Sequence, residues 1–191
     1  MDDASQGQDG QGGTRWLDDH QLSAWKAFSG MLLKLPAALD SQLTQDAGLN
    51  QFEYVVLAAL SESENRTRRM STLAILANGS LSRLSHVVKR LEKRGYLRRE
   101  PCAADGRYTN AVLTDAGWDK VVATAPGHVE AVRSLVVDAL EPEQLDQLRD
   151  ISHRLLHALD PDLGCPSGGT PATPARGPED TDPRTGPAAP H

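Results

Sequence analysis

Aromatic residues are scarce in this chain: they make up 4% of 191 residues, as two Phe, three Tyr and three Trp. Cysteine is scarcer still. Cys102 and Cys165 cannot build the kind of disulfide framework that staples small secreted domains. No apolar run approaches the ~20 residues that cross a bilayer, so no membrane contact is expected. The opening MDDASQGQDGQGG has no basic n-region and no apolar h-region, so no secretory signal is expected either. Glycine-rich phosphate loops, nucleophile elbows and paired catalytic carboxylates are missing, which argues against an enzyme and against a cofactor. These absences lead to the expectation of a cytoplasmic, non-enzymatic protein.

The net charge of −6 also argues against a nucleic-acid partner, whose binder is usually basic. The average conceals an asymmetry. Residues 66–107 hold eleven basic and three acidic side chains, a net of +8, and the rest of the chain is correspondingly acidic. A basic block of this kind points to nucleic acid or to a membrane surface.

Composition also divides the chain. Residues 1–14 are mostly Gly, Gln and Asp, and residues 161–191 are dense in Pro and Gly. Both are expected to be disordered tails, because they cannot bury enough apolar area to offset the entropy of ordering. Between them, residues 15–160 form one domain.

Within the domain, Trp25, Phe28, Leu32, Leu35, Leu39 and Leu43 recur at helical spacing and predict a helix over 17–46, kinked or split at Pro36. Asn50 is a plausible N-cap for a second helix over 51–61. The polar stretch 62–69 reads as a connection. Ser71 reads as the cap of a short helix, and Asn78-Gly79 as a turn. The segment SLSRLSHVVKRLEKRG follows, with Leu84, Val87, Val88 and Leu91 on one face and Gly95 as its stop. Residues 96–100 and 109–114 read as a hairpin around Asp105-Gly106. Thr114 caps a helix interrupted at Pro126-Gly127. Glu141-Pro142 opens a last helix with an apolar stripe at Leu145, Leu148, Ile151, Leu155, Leu156 and Leu159.

Two short helices joined by Asn-Gly, the second amphipathic and basic, match a helix-turn-helix, and the hairpin makes it a winged one. A helix entering the major groove needs small polar residues near its start, side chains that reach base edges, and flanking cations for phosphates. Ser80, Ser82, Arg83, Ser85, His86, Lys89 and Arg90 supply these. Arg107, just past the hairpin turn, suits a narrow, electronegative minor groove.

At this point the chain resembles the MarR family of bacterial transcription regulators. The resemblance rests on SLSRLSHVVKRLEKRGYLRRE (80–100) and DGRYTNAVLTDAG (105–117), and it spans about residues 15–160. It implies a mainly α fold: a winged helix-turn-helix with a two-stranded β wing, flanked by long N- and C-terminal dimerisation helices. The DNA-binding lobe would cover about 50–114, and the dimerisation helices 17–46 and 115–160. It implies a homodimeric repressor or activator on a double-stranded, pseudo-palindromic operator on the bacterial nucleoid, read here as a repressor released by a small phenolic or aromatic effector. In the family the wing Asp orients the wing Arg, roles that pass to Asp105 and Arg107. Ser71 falls near the phosphates, and Arg15, His20, Trp25 and Phe28 fall near a possible effector pocket.

Other readings compete with these. A run such as Lys89, Arg90, Lys93 and Arg94 fits a solvated helix face equally well. The Trp and Phe residues fit a core as well as a pocket. His153 and His157 sit four apart, as zinc ligands can, but nothing completes a metal site, and none is expected. Cys102 is followed by Ala103, Ala104 and Asp105, a poor setting for a reactive thiol. The alternatives carried forward are a redox-gated or constitutive regulator without a small ligand, and a winged-helix protein-interaction module.

Overall fold

The computed structural model describes residues 14–102 and 105–160. The expected tails, Cys165 and the Ala103-Ala104 part of the turn lie outside the described residues, save Thr14. The chain falls into two compact units, residues 1–38 and 39–191.

In the first unit, helix α1 (Asp19–Ala47) begins, and it continues into the second. Asp18 and Gln21 start it reciprocally. Asp18 Oδ1 accepts from Gln21 N–H at 2.8 Å, and Gln21 Oε1 accepts from Asp18 N–H at 3.2 Å. Of the kink or split expected at Pro36, the split does not occur, and one helix runs through it. Proline deletes one backbone donor, and here the turns on either side carry the helix past that gap.

The second unit holds the core. Leu43 at the end of α1, α2 (Gln51–Ser61), α3 (Met70–Leu76), α4 (Leu81–Lys93) and a small sheet close around it. Leu43, Leu49, Leu57, Leu60, Leu73, Leu84 and Leu91 are fully buried. Each contributes roughly 1.5–3 kcal/mol of transfer free energy before entropy is counted. Asn50 caps α2 as the sequence indicates. Its Oδ1 accepts from Glu53 N–H at 2.8 Å, and Glu53 Oε2 accepts from Asn50 N–H at 3.1 Å.

The wing hairpin forms from β2 (Leu97–Cys102) and β3 (Asp105–Leu113), and a third strand joins it. Within the stretch read as a connection, β1 (Thr67–Arg69) pairs antiparallel with β3, giving the order β1-β3-β2. Three residues are too few to show alternation in sequence, and it is the free edge of β3 that selects them as a strand. Because β1 hands directly into α3, the extended residue Arg69 is the N-cap, with no side-chain cap bond. Ser71 is therefore inside the first turn and exposed, not capping.

The junction of α4, β2 and the next helix is tightly made. Gly95 ends α4 at φ +77°, a conformation costly for residues with a Cβ. Thr114 Oγ1 donates to Gly95 O at 2.6 Å and accepts from Gly117 N–H at 3.1 Å, capping α5 (Asp115–Val132). Gly117 passes so close to the residue that precedes β2 that an added Cβ would lie 1.9 Å from Tyr96 O.

Pro126 does not interrupt α5. The irregularity comes later, as a π-helical stretch over residues 133–137. The last helix, α6 (Pro142–Leu159), opens on Pro142 as expected, with Glu141 and Gln144 capping one another. No residue of α6 is buried. Ile151 is 54% exposed, Leu155 41% and Leu156 48%.

Candidate nucleic-acid interface

α4 is held by one face and presents the other. Leu84, Val87, Val88 and Leu91 anchor it in the core, while Ser82, Arg83, Ser85, His86, Lys89 and Arg90 are exposed. Ser80 caps the helix, its hydroxyl oxygen accepting from Arg83 N–H at 3.1 Å. The Ser85 hydroxyl donates to Leu81 O at 2.8 Å within the same helix, and its oxygen keeps outward-facing acceptor capacity.

Several of the basic residues are already engaged. The Arg83 guanidinium lies over the Phe52 ring at 4.3 Å, which holds the charged end of the side chain against α2. Arg90 Nε donates to Glu53 Oε1 at 3.0 Å, and the Glu53 side chain is only 8% exposed. Arg90 therefore ties α4 to the capped start of α2 as well as carrying surface charge. Arg94 donates to Gly48 O at 3.0 Å and covers Tyr96. Arg99 and Glu92 make a double ion pair, with N···O distances of 2.7 and 3.1 Å. The hydrogen bonds from Arg99 hold the Glu92 carboxyl below its ordinary pKa.

At the wing tip Asp105 accepts from Arg107 through both carboxylate oxygens. Arg107 Nη2 reaches Oδ2 at 2.7 Å, and Nε and the backbone N–H reach Oδ1 at 3.0 and 3.1 Å. These bonds, the side-chain ones first, pull the Asp105 pKa down and push that of Arg107 up. A guanidinium that is 84% exposed is thereby held in one orientation without being buried.

Between β1, the start of α4 and the wing lies a cleft of about 270 Å³. Its walls bring Ser71, Ser85 and Arg107 together with Arg69, Arg99 and Tyr108, none of which was singled out as a site residue from sequence. Arg69 stacks on Tyr108 at 4.7 Å. A signal for this grouping was present only in the block charge. Which of its eleven cations converge depends on the pairing of β1 with β3.

A second cavity, of about 300 Å³, lies in the same unit between α2 and α5, lined by Tyr54, Val55, Ala58, Glu62, Leu76 and His128. The Tyr54 and His128 rings are 4.7 Å apart. Burial, with a smaller push from Glu62, raises the Tyr54 pKa, and burial lowers that of His128. The effector residues expected from sequence lie elsewhere, in the first unit. Arg15 and His20 are exposed there, and Trp25, 55% exposed, is tilted against Phe28 at 6.4 Å. Cys102 is buried at the tip end of the wing, paired with Asp105 and next to a bulge in the β2–β3 pairing. His153 and His157 are exposed on α6, and among the described residues no group of three potential ligands gathers around a metal position. No helix among the described residues is long and apolar enough to cross a membrane.

Comparison with known proteins places this geometry. Residues 49–109, which contain α2 to the greater part of β3, match the family model of the MarR family. The transcriptional repressor MprA of Escherichia coli (strain K12) is 27% identical over 120 residues, covering 63% of this chain and 68% of that protein. Among solved structures, Sco3205, a MarR family transcriptional regulator of Streptomyces coelicolor in complex with DNA, is 42% identical. That match has a TM-score of 0.76 and covers 80% of this chain and 95% of that one. AbsC, a MarR family transcriptional regulator from the same organism, is 39% identical with a TM-score of 0.73, covering 76% of this chain and 98% of that one.

Proposed function

The chain belongs to the MarR family of transcriptional regulators, and from that premise we propose that it is a homodimeric, sequence-specific DNA-binding repressor released by a small effector. The observation that carries the reading is the pairing of two presented surfaces. One is the exposed face of α4, and the other is the wing Arg107 held outward by Asp105. Sco3205, at 42% identity, was solved in complex with DNA, and MprA is named a repressor, which supports the same partner and the same sign of regulation here.

In this reading α4 enters the major groove. Ser82, Arg83, Ser85 and His86 face base edges, while Ser71, Ser80, Lys89 and Arg90 contact phosphates. Arg107 enters the adjacent minor groove. The lobe over about 50–114 does the binding, and helices over 17–46 and 115–160 form the dimer. The apolar side chains left exposed along α6 support a second copy as their cover. A two-fold dimer places two recognition helices one turn of DNA apart, roughly 34 Å, on a pseudo-palindrome. Such a regulator works in the cytoplasm, on the nucleoid.

The effector is a small aromatic or phenolic molecule that favours a different spacing of the recognition helices and so weakens DNA binding. Two places fit it: the cavity beside Tyr54 and His128, and the neighbourhood of Arg15, His20, Trp25 and Phe28.

Selection of duplexes from a random library, followed by mobility shift, tests the reading. A palindromic consensus is expected, with affinity falling on the order of 10³-fold between 50 and 200 mM salt. No enrichment, or binding indifferent to salt, would sink it. Release by phenol or benzoate, competing at millimolar concentration, tests the effector separately.

A further inference from the structure

We propose that the cleft between β1, α4 and the wing is a seat for one backbone phosphate of duplex DNA, and that Arg69 is its principal cation. The inference rests on the DNA-binding reading above. Three guanidinium groups line the cleft: Arg69, Arg99 and Arg107. Two are matched by carboxylates, Arg99 by Glu92 at 2.7 Å and Arg107 by Asp105 at 2.7 Å. Arg69 makes no ion pair with any described residue, although its charge reaches Asp105 and helps to lower that pKa. The uncompensated positive charge of the cleft is therefore the one on Arg69.

Its position is fixed rather than loose. Arg69 sits opposite Asn110 in the β1–β3 ladder, and Tyr108, two residues nearer the tip on the same face of β3, is its diagonal neighbour. The guanidinium carbon lies over the Tyr108 ring, 4.7 Å from its centre. A guanidinium held over a ring face carries five N–H donors, more than the ring can use, and so keeps donors for an oxyanion. This contact also restricts rotamers before DNA arrives, which lowers the entropy lost on binding. The exposed Ser71 hydroxyl on the same wall adds a neutral donor for a second phosphate oxygen. Because Tyr108 belongs to the wing and Arg69 to the strand that leads into α3, a phosphate held here would register the wing against the helix-turn-helix.

The test measures affinity against salt for the full-length wild type, Arg69→Gln, Arg69→Lys, Tyr108→Phe and Tyr108→Ala. The probes are the selected duplex and a scrambled duplex of equal length. Arg69→Gln is expected to weaken both duplexes by the same factor, about tenfold, because a phosphate contact carries no sequence information. The slope of log affinity against log salt should become shallower by about one per protein copy bound. Arg69→Lys should keep the slope and lose only part of the affinity. Tyr108→Phe should match wild type, and Tyr108→Ala should fall between wild type and Arg69→Gln. Arg69 makes no capping bond, so its replacement leaves α3 its start. If wild type binds steeply with salt while Arg69→Gln keeps its affinity and slope, the phosphate seat is wrong and the DNA reading stands. A loss confined to the selected duplex, with the slope unchanged, would also overturn it, since Arg69 would then be reading bases. If wild type itself shows no salt-dependent binding, the DNA reading falls and the inference falls with it.

Discussion

Helices α4 and α6 carry the same kind of apolar stripe and meet different fates. In α4, Leu84, Val88 and Leu91 are 0% exposed and Val87 is 4%. In α6, Leu148 is 37% exposed, Ile151 54% and Leu159 82%. The period of the pattern is common to both, since each repeats at three and four residues. What differs is what the rest of the chain places opposite. α2, α3 and the sheet converge on α4, whereas among the described residues none encloses a side chain of α6. An amphipathic helix declares that one face needs cover and does not say whether its own chain provides it.

The largest expected effect is on the buried stripe. Leu91→Ala should cost about 2–5 kcal/mol of unfolding free energy, because the side chain is fully enclosed and its loss leaves a cavity. Leu155→Ala in α6 should cost a lone chain much less. Urea unfolding of both variants at several protein concentrations separates the two cases. Equal losses at high dilution would break the distinction between the helices. Ile151→Asp sharpens it from the other side. A charge at a covered dimer face should shift the protein from dimer to monomer in sedimentation, at a cost on the order of 2 kcal/mol or more, with its circular dichroism spectrum retained. A stable wild-type monomer at micromolar concentration would remove the reason for the exposed stripe.

The polar side of α4 gives the next effect. Glu53→Ala removes the Glu53 half of the α2 capping box and the partner of Arg90, and leaves the Asn50 cap in place. It should cost about 1–2 kcal/mol, read by thermal unfolding. At the wing, Arg107→Ala should weaken operator binding by about tenfold and leave stability unchanged, because the side chain is 84% exposed and its hydrogen bonds among the described residues go to Asp105. Lower stability together with unchanged DNA affinity would mean that the wing Arg is structural.

The smallest effect concerns pH. Burial lowers the His128 pKa below its ordinary 6.5, so the unfolded chain takes up a proton there before the folded one does. Stability is therefore complete above pH 6.5 and declines as pH falls from 6.5 towards the folded pKa. His128→Gln should flatten that part of the stability–pH curve. A profile identical to wild type would assign the decline to other groups.

The parts of the fold legible in the sequence were those set by local chemistry. Asn50 and Glu53 cap α2, Gly95 stops α4, Thr114 caps α5 and Pro142 starts α6, each through bonds that span three or four residues. The same holds for the wing pair Asp105 and Arg107, two residues apart. Neither Pro36 nor Pro126 breaks its helix, because a single missing donor is a local loss that surrounding turns can carry. Ser71 was misplaced as a cap because the strand before it was invisible. Arg90, which the sequence offers as a DNA-facing cation or a solvated one, is also held by Glu53, 37 residues away.

Sequence alone determined the amphipathic helices, the turn, the hairpin and the concentration of positive charge in residues 66–107, because each depends on neighbours along the chain. Tertiary structure decided which of those charges are spent on ion pairs and which are left over, which stripe is enclosed, and that Arg69 and Tyr108 meet. Those outcomes depend on contacts between segments about forty residues apart, closed by strand pairing and core burial that no local pattern encodes.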